Sequence, residues 1–442
     1  MAFRRFLKTS LPAALDLATQ TIMWTVEAIL VGNLHAAALA GYSMAIQIVL
    51  VFFAILLTFI VGAGLIINRH LGAKENYQAN HILGQALMIS IVLAFIVAIL
   101  WHVGAVHLFK IINESGAANA REAGTTYLRT LSFFAPLIMT NFVAVGIIRA
   151  VGDTRFSMRI NLIINTINIV LSPLLIFGLF GAPRLEVQGA AIAAGISHSI
   201  GFLITLYLLR SRRLRLFLSF RELTTPRWKS FKMLFKMGFP TTVEQMSIAI
   251  GQLVVMSYAG ALSVTVLTTH AIFMRIQSVL SMAYLGFSMA AMSEMGQNLG
   301  ANNATQAEKT AHAAHRVMVV FVFVIMIILV VAAKSMIAIF TTEPQVINLG
   351  RRVIFVFALA QMPKALNNVL SGNMRGIGML RWLMMTTIVF VFLFEIGVNY
   401  IGLFLLGWGL FGIWGVQATD ETVRFVVNYL RFINGSWRKK RN

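Results

Sequence analysis

The sequence predicts an all-α polytopic membrane protein, with twelve transmembrane helices arranged as two six-helix bundles related by pseudo-twofold symmetry. Three observations predict it. The 442-residue chain is 58% hydrophobic and 12% charged, with a mean hydropathy of +0.81, well above that of soluble domains. Apolar runs of about 20 residues, the length a helix needs to cross the hydrocarbon core, recur along the whole chain. The second half of the chain also repeats the first.

The spans are expected at 10–33, 38–67, 83–108, 124–149, 156–181, 188–210, 235–260, 265–295, 313–340, 349–373, 380–405 and 410–432, separated by short loops rich in Gly, Asn, Lys and Arg. The opening "MAFRRFLK" before an apolar run mimics a signal peptide. Asp16 interrupts that run, and removing it would place the two basic ends on opposite sides, so it is read as span 1. Basic residues gather in "MAFRRFLK", in the link "LRSRRLRLFLSFRELTTPRWKSFKMLFK" and in the tail "SWRKKRN". By the positive-inside rule these lie in the cytoplasm, where they can meet anionic head groups. The net charge of +21 is therefore a topology signal. Nucleic acid is not an expected partner, because no soluble domain exists to carry it. The expected location is the bacterial inner membrane, with both termini cytoplasmic.

The repeat is legible residue by residue. "SLPAALD" at 10–16 answers "GFPTTVE" at 238–244, putting Pro12 on Pro240 and Asp16 on Glu244 at an offset of 228. "HLGAKENYQA" at 70–79 answers "NLGANNATQA" at 298–307 at the same offset, and "IIRAVGDTRF" at 147–156 answers "NMRGIGMLRW" at 373–382 at an offset of 226. Expected domains are an N-terminal six-helix lobe at 1–210, a basic cytoplasmic linker at 211–234 and a C-terminal lobe at 235–442. An even number of spans per copy sends both copies into the membrane from the same side. Transporters built from such repeats bind substrate near the midplane and rock one bundle against the other.

Several segments together resemble the multidrug and toxic compound extrusion (MATE) family. In the first half these are "VEAILVGNLHAAALAGYSMA", "NRHLGAKEN", "IIRAVGDTRFSM" and "NIVLSPLLIFG"; in the second they are "GFPTTVEQ", "AIFMRIQSVLSMAYLGFSMAAMSEMGQNLGANN" and "MRGIGMLRW". The resemblance covers almost the whole chain. It implies a secondary-active exporter that ejects organic cations or amphipathic drugs in exchange for protons or sodium ions. Two positions depart from the family pattern. The span 1 acid, usually Asp, is Glu27, and the span 5 Asn-x-x-x-Asp motif of one family branch reads Asn168 to Ser172, without its carboxylate.

Charge within a span is costly, about 2.5 to 3.5 kcal/mol for a central acid or base on insertion scales, and such residues usually face a bundle interior or a watery cavity. Glu27 is the first candidate for ion coupling, followed by Glu244, Asp16 and Glu395. Asp16 and Glu27 are eleven residues apart, close to three turns, so both lie on one face of span 1, roughly 16 Å apart. Asp16 and Glu244 each follow a proline by four residues, and that proline is expected in the first turn of its helix. Gln47 is the expected neighbour of Glu27 on span 2. Asn161, Asn165, Asn168 and Ser172 form one stripe on span 5, read either as a cavity lining or as a hydrogen-bonded seam. Arg275 and Lys364 are further cavity candidates; they keep alive the alternative of a flippase or exporter for a lipid-linked or amphipathic anion. Asp420 and Arg424, four apart, are expected to pair within one helix, and Lys364 and Glu395 are close enough in span order to meet.

No catalytic or metal-binding constellation such as G-x-S-x-G or H-E-x-x-H occurs, so an enzyme is not expected. The chain has no cysteine, and its nine histidines show no ligand spacing. No cofactor is expected beyond a proton or Na+ as coupling ion. The expected partners are small-molecule cations or drugs and membrane lipids, with the chain acting as a monomer. A non-transporting scaffold or receptor is the rival from another class; acids in corresponding helices of a repeat speak against it.

Overall fold

The computed structural model describes residues 2–112 and 118–434; the basic tail "SWRKKRN" lies outside them. In chain order the helices are α1 (Ala2–Gly32), α2 (Ala36–Gly72), α3 (Asn76–Ile112), α4 (Ala118–Ala150), α5 (Thr154–Phe177), α6 (Glu186–Arg210), the short α7 (Phe220–Thr224), α8 (Trp228–Leu262), α9 (Val264–Gly300), α10 (Ala304–Val331), the short α11 (Ala333–Ala338), α12 (Pro344–Gly376), α13 (Leu380–Phe390) and α14 (Gly409–Ile433). Helix α13 runs on in the wider π form through Val391–Val398 and Ile401–Leu405. No strand occurs among the described residues, as lipid demands of a chain whose backbone groups must bond within their own segment.

Among the described residues, eleven helices are long and apolar enough to cross a membrane. The remaining long helix, α14, carries Asp420, Glu421, Arg424 and Arg431, which dilute its hydropathy. The expected span at 313–340 is broken at Ala332, between α10 and α11.

Two helices differ from expectation at their starts. Helix α1 begins at Ala2 and α8 at Trp228, so Pro12 and Pro240 sit well inside their helices and not in the first turn. Interior proline is tolerated in membrane helices because neighbours re-satisfy the freed carbonyl.

The chain divides into two compact units, one comprising Leu15–Gly238 and the other comprising Met1–Ala14 with Phe239–Asn442. The division falls inside α1 just after Pro12 and inside α8 just before Pro240. The start of α1 thus groups with the second half, and the basic link with the first, unlike the lobe bounds expected from span order.

Within the first-half unit, α4 is the central helix and packs on α2, α3, α5 and α6. Close approach is possible because Gly41 on α2 lies against the α4 backbone at Ala120 and Gly124, the small-residue packing that holds helices together in lipid. In the second-half unit, α12 is central and packs on α9, α10 and α14, with Gly372 against Ser288 of α9. Its core is aromatic. Phe273, Phe357 and Trp414 are fully buried, with ring centroids 4.7 to 5.6 Å apart.

Candidate functional site

Each unit buries an acid against an arginine contributed by its central helix. In the first-half unit, Asp16 of α1 is completely buried; the Nε of Arg149 on α4 donates to its Oδ2 at 2.8 Å, and the Nδ2 of Asn161 on α5 donates to Oδ1 at 2.6 Å. In the second-half unit, Glu244 of α8 accepts from Arg375 of α12 at 2.8 Å, and Arg375 also reaches Ser288 Oγ on α9 at 3.4 Å. Asp16 and Glu244 correspond at the repeat offset of 228, and Arg149 and Arg375 at 226. One ion pair has been kept in both copies.

Neither arginine was singled out from the sequence, although the signal was present. The matched segments "IIRAVGDTRF" and "NMRGIGMLRW" place an Arg in each copy, just as "SLPAALD" and "GFPTTVE" place an acid. These pairs tie α1 to α4 and α5, and α8 to α12. A buried carboxylate with a guanidinium against it is neutralised in place, and removing one partner costs about 3 to 5 kcal/mol.

Glu27 has no such partner. It lies three turns along α1 from Asp16, is 2% exposed, and its Oε1 has no hydrogen-bond partner among the described residues. Its neighbours are two tyrosines, Tyr42 of α2 and Tyr127 of α4, which pack edge to face at 5.2 Å. Gln47 is exposed on α2, so the neighbour expected for Glu27 is replaced by Tyr42, one and a half turns earlier. Spacing along α2 placed a polar residue at about the right depth but not on the right face.

The α5 stripe is buried along its whole length: Asn161, Asn165, Asn168 and Ser172 are each at most 6% exposed. Asn161 belongs to the Asp16 pair, and Ser172 Oγ donates to Asn168 Oδ1 at 3.3 Å. The Nδ2 atoms of Asn165 and Asn168 have no hydrogen-bond partner among the described residues. A pure hydrogen-bonded seam would use those donors, so the stripe retains free capacity inside the first-half unit.

The second-half unit has a different interior. Lys364 of α12 meets Glu421 of α14 at 3.8 Å, and Glu421 also accepts from Asn367 Nδ2 at 2.9 Å. Asn428 donates to Asn367 Oδ1 at 3.0 Å and accepts from Trp382 Nε1 at 3.0 Å. Arg424 pairs with Asp420 within α14, as their spacing predicts. Lys364 therefore takes Glu421 as its ion-pair partner, and not Glu395. Glu395 stands near Arg424 and Lys364, yet its Oε2 has no hydrogen-bond partner among the described residues. It sits in the π-helical stretch of α13 and lies so close to α8 that a side chain at Gly251 would collide with Oε2. Arg275 is exposed on α9 and joins no cluster. No group of three or more potential metal ligands occurs among the described residues.

Comparisons with known proteins identify the family and the fold. The MatE family model matches residues 12–174 and 240–401, once in each half. The probable multidrug resistance protein NorM of Thermotoga maritima is 25% identical over 442 residues, covering 99% of this chain and 93% of the relative. The FAD transporter of Shewanella oneidensis is 26% identical over 364 residues, 81% of this chain and 79% of that protein. A solved structure described as MATE in complex with MaL6 shares the fold with a TM-score of 0.90 at 22% identity, covering 99% of this chain and 97% of that one. Matched by one family model in both of its halves, the chain belongs to the MatE family and is an integral membrane transporter, not an enzyme.

Proposed function

We propose that this transporter is a secondary-active multidrug exporter that ejects organic cations or amphipathic drugs in exchange for protons or sodium ions by alternating access, and that Glu27 is its coupling acid. The observation that carries the reading is the contrast among the buried acids. Asp16 and Glu244 are each held by an arginine, whereas Glu27 is buried with an oxygen that has no partner and with no ion-pairing cation among the described residues. A buried carboxylate without a counter-charge is stable only when it holds a proton or a cation, and exchange of those two occupants is the elementary act of coupling. The Asn165 and Asn168 amides supply neutral polar lining in the same unit. Asp16 and Glu244, expected from the sequence beside Glu27, are on this reading structural. Glu395, with a free oxygen of its own, is the second coupling candidate. The proposed setting is a bacterial inner membrane with both termini in the cytoplasm and the chain acting as a monomer.

The test is efflux of a cationic dye from proteoliposomes, driven first by a proton gradient alone and then by a sodium gradient alone. Wild type should respond to one of the two, and Glu27→Gln should reduce that response to the leak rate. Undiminished efflux by Glu27→Gln under the effective gradient would sink the assignment.

A second reading, export of an amphipathic anion, is kept by the likeness to a protein named FAD transporter. Its expected cationic lining is weakened by the pairing of Lys364 with Glu421 and by the exposure of Arg275. Uptake of a labelled dinucleotide in place of the dye, in the same vesicles, separates the two readings.

A further inference from the structure

The basic link between α6 and α8 is a fixed strap. Leu214, Leu216 and Leu218 are buried, a period of two that turns the residues between them outward. Its backbone is held from below. Arg215 N donates to Asp153 Oδ2 at 3.0 Å, Phe217 N to Asn80 Oδ1 at 2.8 Å, and Leu218 N to Leu209 O at 3.0 Å. Gln85 of α3 then makes three bonds. Its Nε2 donates to the carbonyls of Glu222 at 3.1 Å and Thr225 at 2.9 Å, while its Oε1 accepts from Arg227 N at 2.9 Å. Glu222, the single acid between positions 211 and 238, is taken up by His81 at 2.5 Å.

The outer side of the strap is consequently cationic, with Arg215 taken up by Asp153 at 3.3 Å and five further cations left over. Arg213, Arg221, Arg227, Lys229 and Lys232 are exposed, and none has a carboxylate within 4.0 Å among the described residues. Trp228, 74% exposed, stands among them. The strap leaves one candidate span at Arg210 and enters the next at Trp228, so it must lie at the membrane surface. Cations beside an exposed tryptophan at that depth are complementary to an anionic head-group layer.

We propose that the strap is a preformed docking surface for anionic phospholipid head groups, held in shape by Gln85 and the His81–Glu222 contact. The proposal is independent of the coupling mechanism, since it concerns lipid selection and not transport. Freezing the backbone in advance removes part of the ordering cost that a loose basic loop would meet on binding.

The experiment reconstitutes the full chain into phosphatidylcholine vesicles and measures, with spin-labelled phosphatidylglycerol and spin-labelled phosphatidylcholine, which lipid is enriched around the protein. Wild type should select phosphatidylglycerol, and the selection should fall as salt is raised, because charge attraction at the surface is screened within a Debye length. The neutral variant R213Q/R221Q/R227Q/K229Q/K232Q should lose most of the preference, while R213K/R221K/R227K, which keeps every charge, should retain it. Wild-type selection unchanged by salt, equal selection by the neutral variant, or loss in the lysine variant would each overturn the proposal. So would binding of heparin to the wild type that phosphatidylglycerol vesicles fail to displace, since the surface would then fit a soluble polyanion better than a membrane. If the neutral variant does not fold, the smaller variants R213Q/R221Q and R227Q/K229Q/K232Q decide the matter, each expected to lose part of the preference, and full retention by both would overturn the proposal.

Discussion

The two units preserve one ion pair and diverge around it. Asp16 with Arg149 and Glu244 with Arg375 occupy corresponding positions and join a first helix to a central helix in each copy. Beyond that pair, the first-half unit is lined by amides and one lone acid, Glu27, whose counterpart at the repeat offset is Val255, a core residue. The second-half unit fills its interior with the cross-paired charges Lys364, Asp420, Glu421 and Arg424, whose counterparts in the first half are Ile138, Ala194, Gly195 and His198. Even the shared amide has a different task. Asn141 accepts from Thr205 at 2.8 Å, whereas Asn367, its counterpart, donates to Glu421. The ion pair has been kept in both copies, and the further buried charge, paired in the second half and lone at Glu27 in the first, has collected where the copies differ.

The largest expected effect tests that division directly. Glu27→Gln should abolish gradient-driven efflux while leaving the purified protein as stable as wild type, because a neutral amide fits a site where no described basic side chain pairs with Glu27. Transplanting the acid by Val255→Glu into the Glu27→Gln background should restore nothing. Rescue by the transplanted acid would show that the two copies are interchangeable and break the comparison.

The paired arginines should behave in the opposite way. Arg149→Met and Arg375→Met should each destabilise the fold by about 3 to 5 kcal/mol, since each leaves a buried carboxylate without its partner. The doubles Asp16→Leu/Arg149→Met and Glu244→Leu/Arg375→Met should recover much of that loss. Denaturation cycles on the purified protein would check this, and additive losses would mean that the pairs are not coupled.

Gln85→Ala should come next, at about 1.5 to 4.5 kcal/mol, because it removes three strap bonds of roughly 0.5 to 1.5 kcal/mol each. The loss should be local and visible as faster hydrogen exchange at the backbone amides of positions 222–225 and of Arg227. Unchanged exchange there would mean that the strap is held by its buried leucines alone.

The smallest effect concerns pH. Burial holds the Asp153 carboxyl, in the turn between α4 and α5, above the ordinary carboxylate range, although the Arg215 backbone bond and charge pull it back. A raised value in the folded state means that folding favours the protonated form. Its contribution is therefore complete below the ordinary carboxylate value and is lost as pH rises through the raised one. Asp153→Asn should flatten stability against pH in that window, with a change at neutral pH under about 1 kcal/mol, as expected for a pair with a half-exposed arginine. An unchanged slope would remove Asp153 as the source.

The stretches that were readable along the chain were those with a local signature. Apolar runs marked the helices, and the matched segments around Pro12 and Pro240 marked the duplication. The burial of the α5 stripe followed from its spacings of four, three and four residues. Helix starts were less legible, since "AFRRFLKTS" and the residues after Trp228 are too polar to read as span yet continue α1 and α8 as helix. Gln47 failed for a related reason: depth along a helix can be counted, but its rotation against a neighbour cannot.

Composition, hydropathy and internal repetition thus determined by themselves that the chain is a duplicated bundle of membrane helices with a few acids at depth, because each of those properties is carried by residues close together in sequence. Only the tertiary structure decided which acids are neutralised. Asp16 finds its arginine 133 residues away and Glu244 finds its own 131 away, and Lys364 chooses Glu421 over Glu395 through the way α12 and α14 face one another. Whether a carboxylate in a membrane protein is a brace or a working group depends on the side chain opposite it, and folding alone brings that side chain there.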